Sequence, residues 1–451
     1  MVKHIKDIMP LVDDIQTQRP FGKVVGVSGL IIECQGLESV SVGSRCQIRN
    51  RMGNTFDAEV VGFRDGRILL MPFAGVEGIG PGSPVFPVTH GNVFRANHSL
   101  IGRVVNALGE PLDGKGPLAL GGEFQELKQT PPPAGSRQPI GNKMDTGVRA
   151  LNTFVPICKG QRMGIFSGSG VGKSTLLGMV ARYASAEVNV IGLVGERGRE
   201  VMEFIRESLG EEGLAKSVVV VATGDEPPLM RRQAAYLTMS VAEYFRDAGL
   251  DVLLMMDSVT RFAMAQREIG LSAGEPPTTR GYTPSVFSEL PRLLERAGTS
   301  EHQGAITAIF TVLVEGGDLD EPVADAVRGI LDGHIVLDRD LAERGHFPAI
   351  NILRSVSRAM PACNTQEETD LIAQARTLHA TYTNMEEMIR LGAYRKGADP
   401  EVDKAIGYHE PIETFLTQQH NDPTTLDEGF SKLTDIMRSP APPPKPPADK
   451  E

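Results

Sequence analysis

The chain of 451 residues contains no tryptophan, only seven tyrosines and only four cysteines. With so few aromatics, a nucleic-acid surface built on stacked bases lacks its usual platforms. Cys34, Cys46, Cys158 and Cys363 are scattered, without a C-x-x-C or any metal-ligand spacing. They read as reduced, buried thiols and not as a disulfide framework or a zinc site. Positive charge is also short: 46 Lys and Arg face 57 Asp and Glu, a formal net charge of −11. That balance excludes a chain that grips nucleic acid or anionic lipid over most of its surface. No run of about 18 apolar residues occurs and the first residues carry no signal-peptide core, so no membrane span is expected. The histidines are isolated in sequence, with no H-E-x-x-H, and read as structural or surface residues. Glu211-Glu212 and Arg231-Arg232 read as solvated faces.

What is present is a chain of ordinary globular composition, long enough for about three domains. Residues 22–90 carry short apolar runs separated by glycines: Lys23–Val27, Leu30–Cys34, Arg45–Ile48, Ala58–Phe63, Arg67–Pro72 and Val85–Val88. Short strands at close spacing predict a small β-barrel or sandwich, placed at 21–92. Glu123–Gly147, rich in Pro and Gly, reads as irregular connection. From Gly147 onward, continuous apolar runs such as VNVIGLV, SVVVV, DVLLMM and AITAIFTVLV alternate with helical stretches. That pattern predicts a mostly parallel sheet covered on both faces, an α/β core within residues 93–364. After Thr365-x-x-Glu368, a capping-box spacing, apolar residues recur every three or four positions from Leu371 to Ile389. A helical domain over 365–438 follows, flanked by an N-terminal segment (1–20) and a proline-rich disordered tail (439–451).

The chemistry is concentrated in the α/β core. Ser167-Gly-Ser-Gly-Val-Gly172-Lys173-Ser174 follows one predicted strand and opens a predicted helix, the context a phosphate loop requires. Its glycines let successive backbone N–H groups face a phosphate, and the helix N-terminus adds partial positive charge. Ser169, Gly170, Val171, Gly172, Lys173, Ser174 and Thr175 are therefore the expected nucleotide-binding residues, with Lys173 reaching the β and γ phosphates. Ser174 would give one oxygen to Mg²⁺. The first position is Ser167 where the pattern has Gly, which affects the turn more than the phosphate contact. Asp257 ends the strand DVLLMM, where phosphate-loop proteins hold Mg²⁺. Glu196, in GERGRE, stands at the carboxyl end of the strand after the loop's helix, where ligands of open α/β sheets bind. It is placed to orient a water against the γ-phosphate, with Arg197 beside it on phosphate oxygens. A pair of surface charges fits that position equally well. Arg358, in SVSRAM, has the right chemistry to stabilise a transferring phosphoryl group, but is one arginine among many. Phe347, in HFPAI, reads more naturally as a core aromatic than as an adenine platform.

SGSGVGKS, GERGREV and above all DSVTRFAMAQREIGLSAGEPPTTRGYTPSVFSELPRLLERAG (257–298) resemble the type III secretion ATPases over nearly the whole chain. RFAMAQRE and TTRGYTP are most similar to the flagellar export branch. The family is itself similar to the catalytic subunits of rotary ATP synthases. The resemblance implies an N-terminal β-barrel, a RecA-like phosphate-loop ATPase core and a C-terminal helical domain, assembling as a homohexameric ring. It implies ATP as substrate with Mg²⁺, Glu196 as the water-positioning carboxylate, and Arg197 and Arg261 on the phosphate side of the site. Phe347 takes the adenine position and Arg358 that of an arginine finger given by a neighbouring subunit. The partners so implied are the flagellar export apparatus, its regulator and stalk-like proteins, export substrates and chaperones. They place the protein in the cytoplasm, peripheral to the inner face of the membrane at the export gate, without nucleic acid. The competing readings are a virulence-type secretion ATPase, a rotary synthase subunit and an RNA-driven RecA-like motor. The acidic charge and the lack of an aromatic-plus-basic barrel surface disfavour the last.

Overall fold

A computed structural model describes residues 20–439 except 38, 90, 302, 315 and 316. The expected N-terminal segment and the proline-rich tail lie outside the described residues, apart from positions 20 and 439. The chain forms two compact units. Of the described residues, one comprises those up to Val93 with Glu226–Met230 and Ala265–Pro284, and the other the remainder.

In the first unit, β1 (Gly22–Ser28), β2 (Ile31–Gln35), β3 (Arg45–Arg49), β4 (Thr55–Arg64), β5 (Arg67–Pro72) and β6 (Pro84–Pro87) close an antiparallel barrel in the order β1-β2-β5-β4-β3-β6. Alternation does the work: Cys46 and Ile48 of β3 point inward while Gln47 and Arg49 face outward. Small and branched side chains fill the interior, including Val24, Ile32, Cys34, Val60, Leu70 and Val85. Burial pushes the thiol of Cys34 up to about 11 and that of Cys46 up to about 12, so both are inert packing residues.

The second unit opens with β7 (Val93–Ala96), β8 (Val104–Asn106) and β9 (Glu123–Glu126). β7 and β9 pair as a small two-stranded sheet, so the segment read as irregular contains one short strand. β10 (Arg162–Ser167), β11 (Val188–Glu196), β12 (Ser217–Thr223), β13 (Asp251–Asp257), β14 (Gly298–Thr299), β15 (Ala305–Leu313), β16 (Gly333–Leu337) and β17 (Val356–Ser357) form one sheet with β8. Its order is β17-β16-β10-β15-β13-β11-β12-β8, and every pair on this path is parallel except β16 with β17. The continuous apolar runs are buried on both faces, as a helix-covered parallel sheet requires. Helices α1 (Lys173–Tyr183), α2 (Pro228–Asp247) and α3 (Val259–Ala273) follow β10, β12 and β13.

One polar element lies deep in this core. Arg296 and Glu243, each 1% exposed, pair at 2.6 Å, and Arg296 also donates to Ser240 Oγ and the Leu127 carbonyl. The expectation of solvated arginines at 231 and 232 is overturned, since both side chains are buried, whereas Glu211 and Glu212 are exposed as expected. α4 (Gln366–Arg390), α5 (Pro400–Leu416) and α6 (Leu426–Arg438) complete the unit. The capping box is present: Glu368 N–H donates to Thr365 Oγ1, and Thr365 N–H donates to the Glu368 carboxylate. No helix among the described residues is long and apolar enough to cross a membrane.

Candidate nucleotide site

The site is built where three parallel strands end. β10 runs into the glycine-rich loop, β11 ends on Glu196 and β13 on Asp257. Side-by-side parallel strands bring their carboxyl ends to one edge of the sheet, so residues far apart in sequence converge there. Gly172 caps the start of α1 with φ of 85°, a left-handed conformation that only glycine adopts without strain. A side chain there would also press within 3.2 Å of the Phe347 ring, so Phe347 lies against the loop. Phe347 is 43% exposed as a residue, and the expectation of a core aromatic does not hold.

Lys173 Nζ donates to Asp257 Oδ1 at 2.5 Å and stands 3.5 Å from Glu196 Oε1. Thr311 Oγ1, from β15, donates to the same Asp257 oxygen at 2.7 Å. Burial opposes the Lys173 charge, but Asp257 and Glu196 outweigh it and hold the ammonium above the ordinary lysine value. Glu196 goes the other way from an ordinary carboxylate. Burial, then the neighbouring Asp257 charge, push its pKa up to about 7, against the pull of Lys173 and Arg261. Glu196 Oε1 is buried with no hydrogen bond beyond its 3.5 Å ion pair to Lys173, and the Nε of Arg261 is buried without an acceptor. Arg261 is seated by Gly195, at φ of 75°, where an added Cβ would lie 2.7 Å from that of Arg261. Unmatched buried polar atoms at the mouth of a phosphate loop mark a place built for a polar ligand.

The expected residues divide into those the fold assembles and those it does not. Lys173, Glu196, Asp257 and Arg261 converge. Ser169, Gly170, Ser174 and Thr175 are exposed along the loop, and Val171 is buried beneath it. Arg197 has a side chain 79% exposed and pairs with Glu200 at 3.2 Å, turned to solvent. Arg358 is exposed and holds no ion pair among the described residues. It is also at the wrong end of the sheet for its own chain. Its backbone N–H donates to Asp332 O, and the Asp332 N–H to Arg162 O, at the start of β10. The phosphate loop leaves β10 at the other end, about 16 Å away at the usual rise per strand residue. Thr311 and Glu200 were not anticipated. The apolar run AITAIFTVL carries two hydroxyls, Thr307 and Thr311, and nothing in it singles out Thr311.

An anion-seeking loop at the carboxyl edge of a parallel sheet, backed by carboxylates, places the fold in the phosphate-loop nucleotide-binding class. Residues 147–357 match the ATP synthase alpha/beta family, nucleotide-binding domain. Residues 24–88 match the beta-barrel domain of the same family, and 364–435 match the T3SS EscN ATPase C-terminal domain. The chain is 54% identical to the flagellum-specific ATP synthase of Caulobacter vibrioides over 442 residues, covering 96% of this chain and all of that one. It superposes with a TM-score of 0.87 and 43% identity on the assembled ATPase EscN of the enteropathogenic E. coli type III secretion system, over 92% of this chain and 99% of that one. The same ATPase in complex with its central stalk EscO matches with a TM-score of 0.85 and 42% identity, at the same coverage of each chain. The chain belongs to the family of flagellum-specific ATP synthases and type III secretion ATPases.

Proposed function

We propose that the chain hydrolyses ATP to energise flagellar type III protein export, at sites completed between identical subunits of a six-membered ring. The observation that carries this reading is the split of the chemistry: Lys173, Glu196 and Asp257 meet at one edge of the sheet while Arg358 stands exposed at the other. A permanently charged fork with no ion-pair partner among the described residues, too far from its own phosphate loop, fits delivery to a neighbour's loop. A head-to-tail contact of that kind repeats around a closed ring. The flagellar branch is favoured over the virulence alternative because identity reaches 54% and 51% with flagellar relatives and 46% with a type 3 secretion system ATPase. EscN's association with a central stalk supports a stalk-like partner for this chain. The export apparatus, a regulator, substrates and chaperones follow from the same reading, as does a cytoplasmic location peripheral to the membrane. The division at residues 92/93 and 364/365 gives the three working parts: barrel, ATPase core and helical domain.

In the proposed reaction Lys173 exchanges its carboxylate partners for the β and γ phosphate oxygens, and the backbone from Ser169 to Thr175 cradles the phosphates. Ser174 and Asp257 offer a hydroxyl and a carboxylate, the hard oxygen donors Mg²⁺ takes, so the residues present fit that ion. Bound there, it would supply charge neutralisation on the phosphates. Glu196 orients the attacking water and draws its proton, Arg261 serves the phosphate side, Arg197 joins it only on leaving Glu200, and Phe347 packs on adenine. Arg358 of the adjacent subunit stabilises the charge on the transferring group.

The test is subunit mixing. Lys173→Ala and Arg358→Ala are each expected to be inactive alone, the second with nucleotide binding intact. Mixed in equal amounts, about a quarter of head-to-tail contacts pair an intact loop with an intact arginine. ATP turnover that rises well above either parent preparation supports the shared site. Turnover equal to the sum of the parents, in rings shown to be mixed, overturns it.

A further inference from the structure

Three histidines that are remote in sequence come together in the helical part of the second unit. His409 and Glu413 are four residues apart on α5 and share one face of that helix. His379 reaches them from α4. One donor atom from each of His379, His409 and Glu413 lies within 4.8 Å of the others, the one such cluster of three or more His, Cys, Asp or Glu among the described residues. The Nδ1 atoms of His379 and His409 are buried and neither has a hydrogen-bond partner. Two buried nitrogens without hydrogen bonds in one cluster are costly unless something accepts their lone pairs.

The surroundings hold these groups in place. His346 Nδ1 lies 3.0 Å from Glu413 Oε2, which leaves Oε1, 3.6 Å from His379 Nδ1, facing the cluster. The ring of His409 stacks on Tyr382, with centroids 3.5 Å apart and planes 8° from parallel. Burial keeps the imidazoles of His379 and His409 below their ordinary pKa, so at neutral pH they present lone pairs. A cavity of about 510 Å³ lined by His346, His379, His409 and Glu413 gives access.

We infer that His379, His409 and Glu413 bind one divalent transition-metal ion, of the zinc class, clamping α4 to α5, with His346 orienting the carboxylate. Two imidazole nitrogens and one carboxylate oxygen are a donor set that suits Zn²⁺ and not Mg²⁺ or Ca²⁺. In a tetrahedral zinc site donors stand about 3.3 Å apart, so a movement of under about 1 Å per side chain closes the cluster. A second carboxylate partner such as His346 fixes a ligand in the way outer hydrogen bonds do in established metal sites.

The experiment uses the full chain, stripped with a chelator, titrated with Zn²⁺ by calorimetry in excess Mg²⁺ so that the nucleotide site does not contribute. Co²⁺ substitution, followed by visible absorption, reports the coordination geometry. One equivalent per chain with a tetrahedral Co²⁺ spectrum is expected. His409→Phe keeps the stack on Tyr382 but removes the donor, and His379→Leu removes the other nitrogen. Each should weaken Zn²⁺ binding at least about tenfold, and His346→Gln by about tenfold to a hundredfold. A metal-free melting temperature equal to the parent's shows that the variants fold. If one of them does not fold, the other, with His346→Gln, carries the test. A Kd above about 100 μM in the parent, or affinity and stoichiometry unchanged in His409→Phe and His379→Leu, overturns the assignment.

Discussion

Replacing Glu196 by Gln separates catalysis from folding, because the structure sets opposite signs for the two effects. The carboxyl stands at a pKa of about 7 instead of 4.5, so the folded chain holds this proton more tightly than the unfolded chain does. Between those values the folded state binds more protons, and stability from this group falls as pH rises through the window. Above about pH 7 the charged carboxylate is fully disfavoured by burial and by Asp257. At 1.36 kcal/mol per unit that penalty is about 3 kcal/mol, an upper value given the coupling to Lys173 and Asp257. Gln is isosteric and uncharged, so Glu196→Gln removes the penalty. Denaturant unfolding at about pH 8 should therefore show the variant as stable as the parent or more stable by up to about 3 kcal/mol, with the difference shrinking toward pH 5. Turnover should move the other way. Without a carboxylate to orient and deprotonate water, phosphate release should fall about a hundredfold to ten-thousandfold while fluorescent-nucleotide affinity is kept. In the parent, activity should rise with pH through about 7 as Glu196 loses its proton. Hydrolysis within about threefold of the parent rate would refute the assigned role. A variant that loses both activity and stability at about pH 8 would refute the electrostatic argument.

Two further expectations follow from other parts of the second unit. Phe347→Ala should raise the KM for ATP about tenfold to a hundredfold with kcat little changed, because a stacked base is worth about 1–3 kcal/mol in ground state and transition state alike. A fall in kcat at constant KM would remove Phe347 from the adenine position. Glu243→Gln should cost about 3–5 kcal/mol of unfolding free energy, since it leaves the Arg296 charge buried without its partner. The double replacement Glu243→Leu with Arg296→Met should recover most of that loss. A single variant as stable as the parent would show that the pair is not desolvated.

The parts legible in the amino-acid sequence were those set by short-range physics. Short apolar runs separated by glycines mark β1 to β6, because each strand is brief and ends in a turn. Unbroken apolar runs mark β11, β13 and β15, because helices cover both faces of a parallel sheet. The phosphate loop announces itself in eight consecutive residues, and the Thr365 capping box in four. Each depends on neighbours within one element, which is what a sequence preserves. Tertiary structure decided everything that depends on which ends of which strands meet. Glu196 as a buried carboxylate near neutrality and not a surface charge follows from its burial and from Asp257 arriving beside it at the end of β13, against the opposing pull of Lys173 at the start of α1. Thr311 joins them only because β15 is hydrogen-bonded to β13. Arg231 and Arg232 looked solvated because burial of an arginine depends on partners the linear pattern does not show. Arg358 stood out by family resemblance alone, and only the antiparallel turn of β17 set it at the far end of β10 from its own loop. The histidines at 346, 379 and 409 looked isolated because their separation along the chain is long. Packing of α4 on α5 beside the segment that carries His346 removes that separation, and no local pattern encodes it.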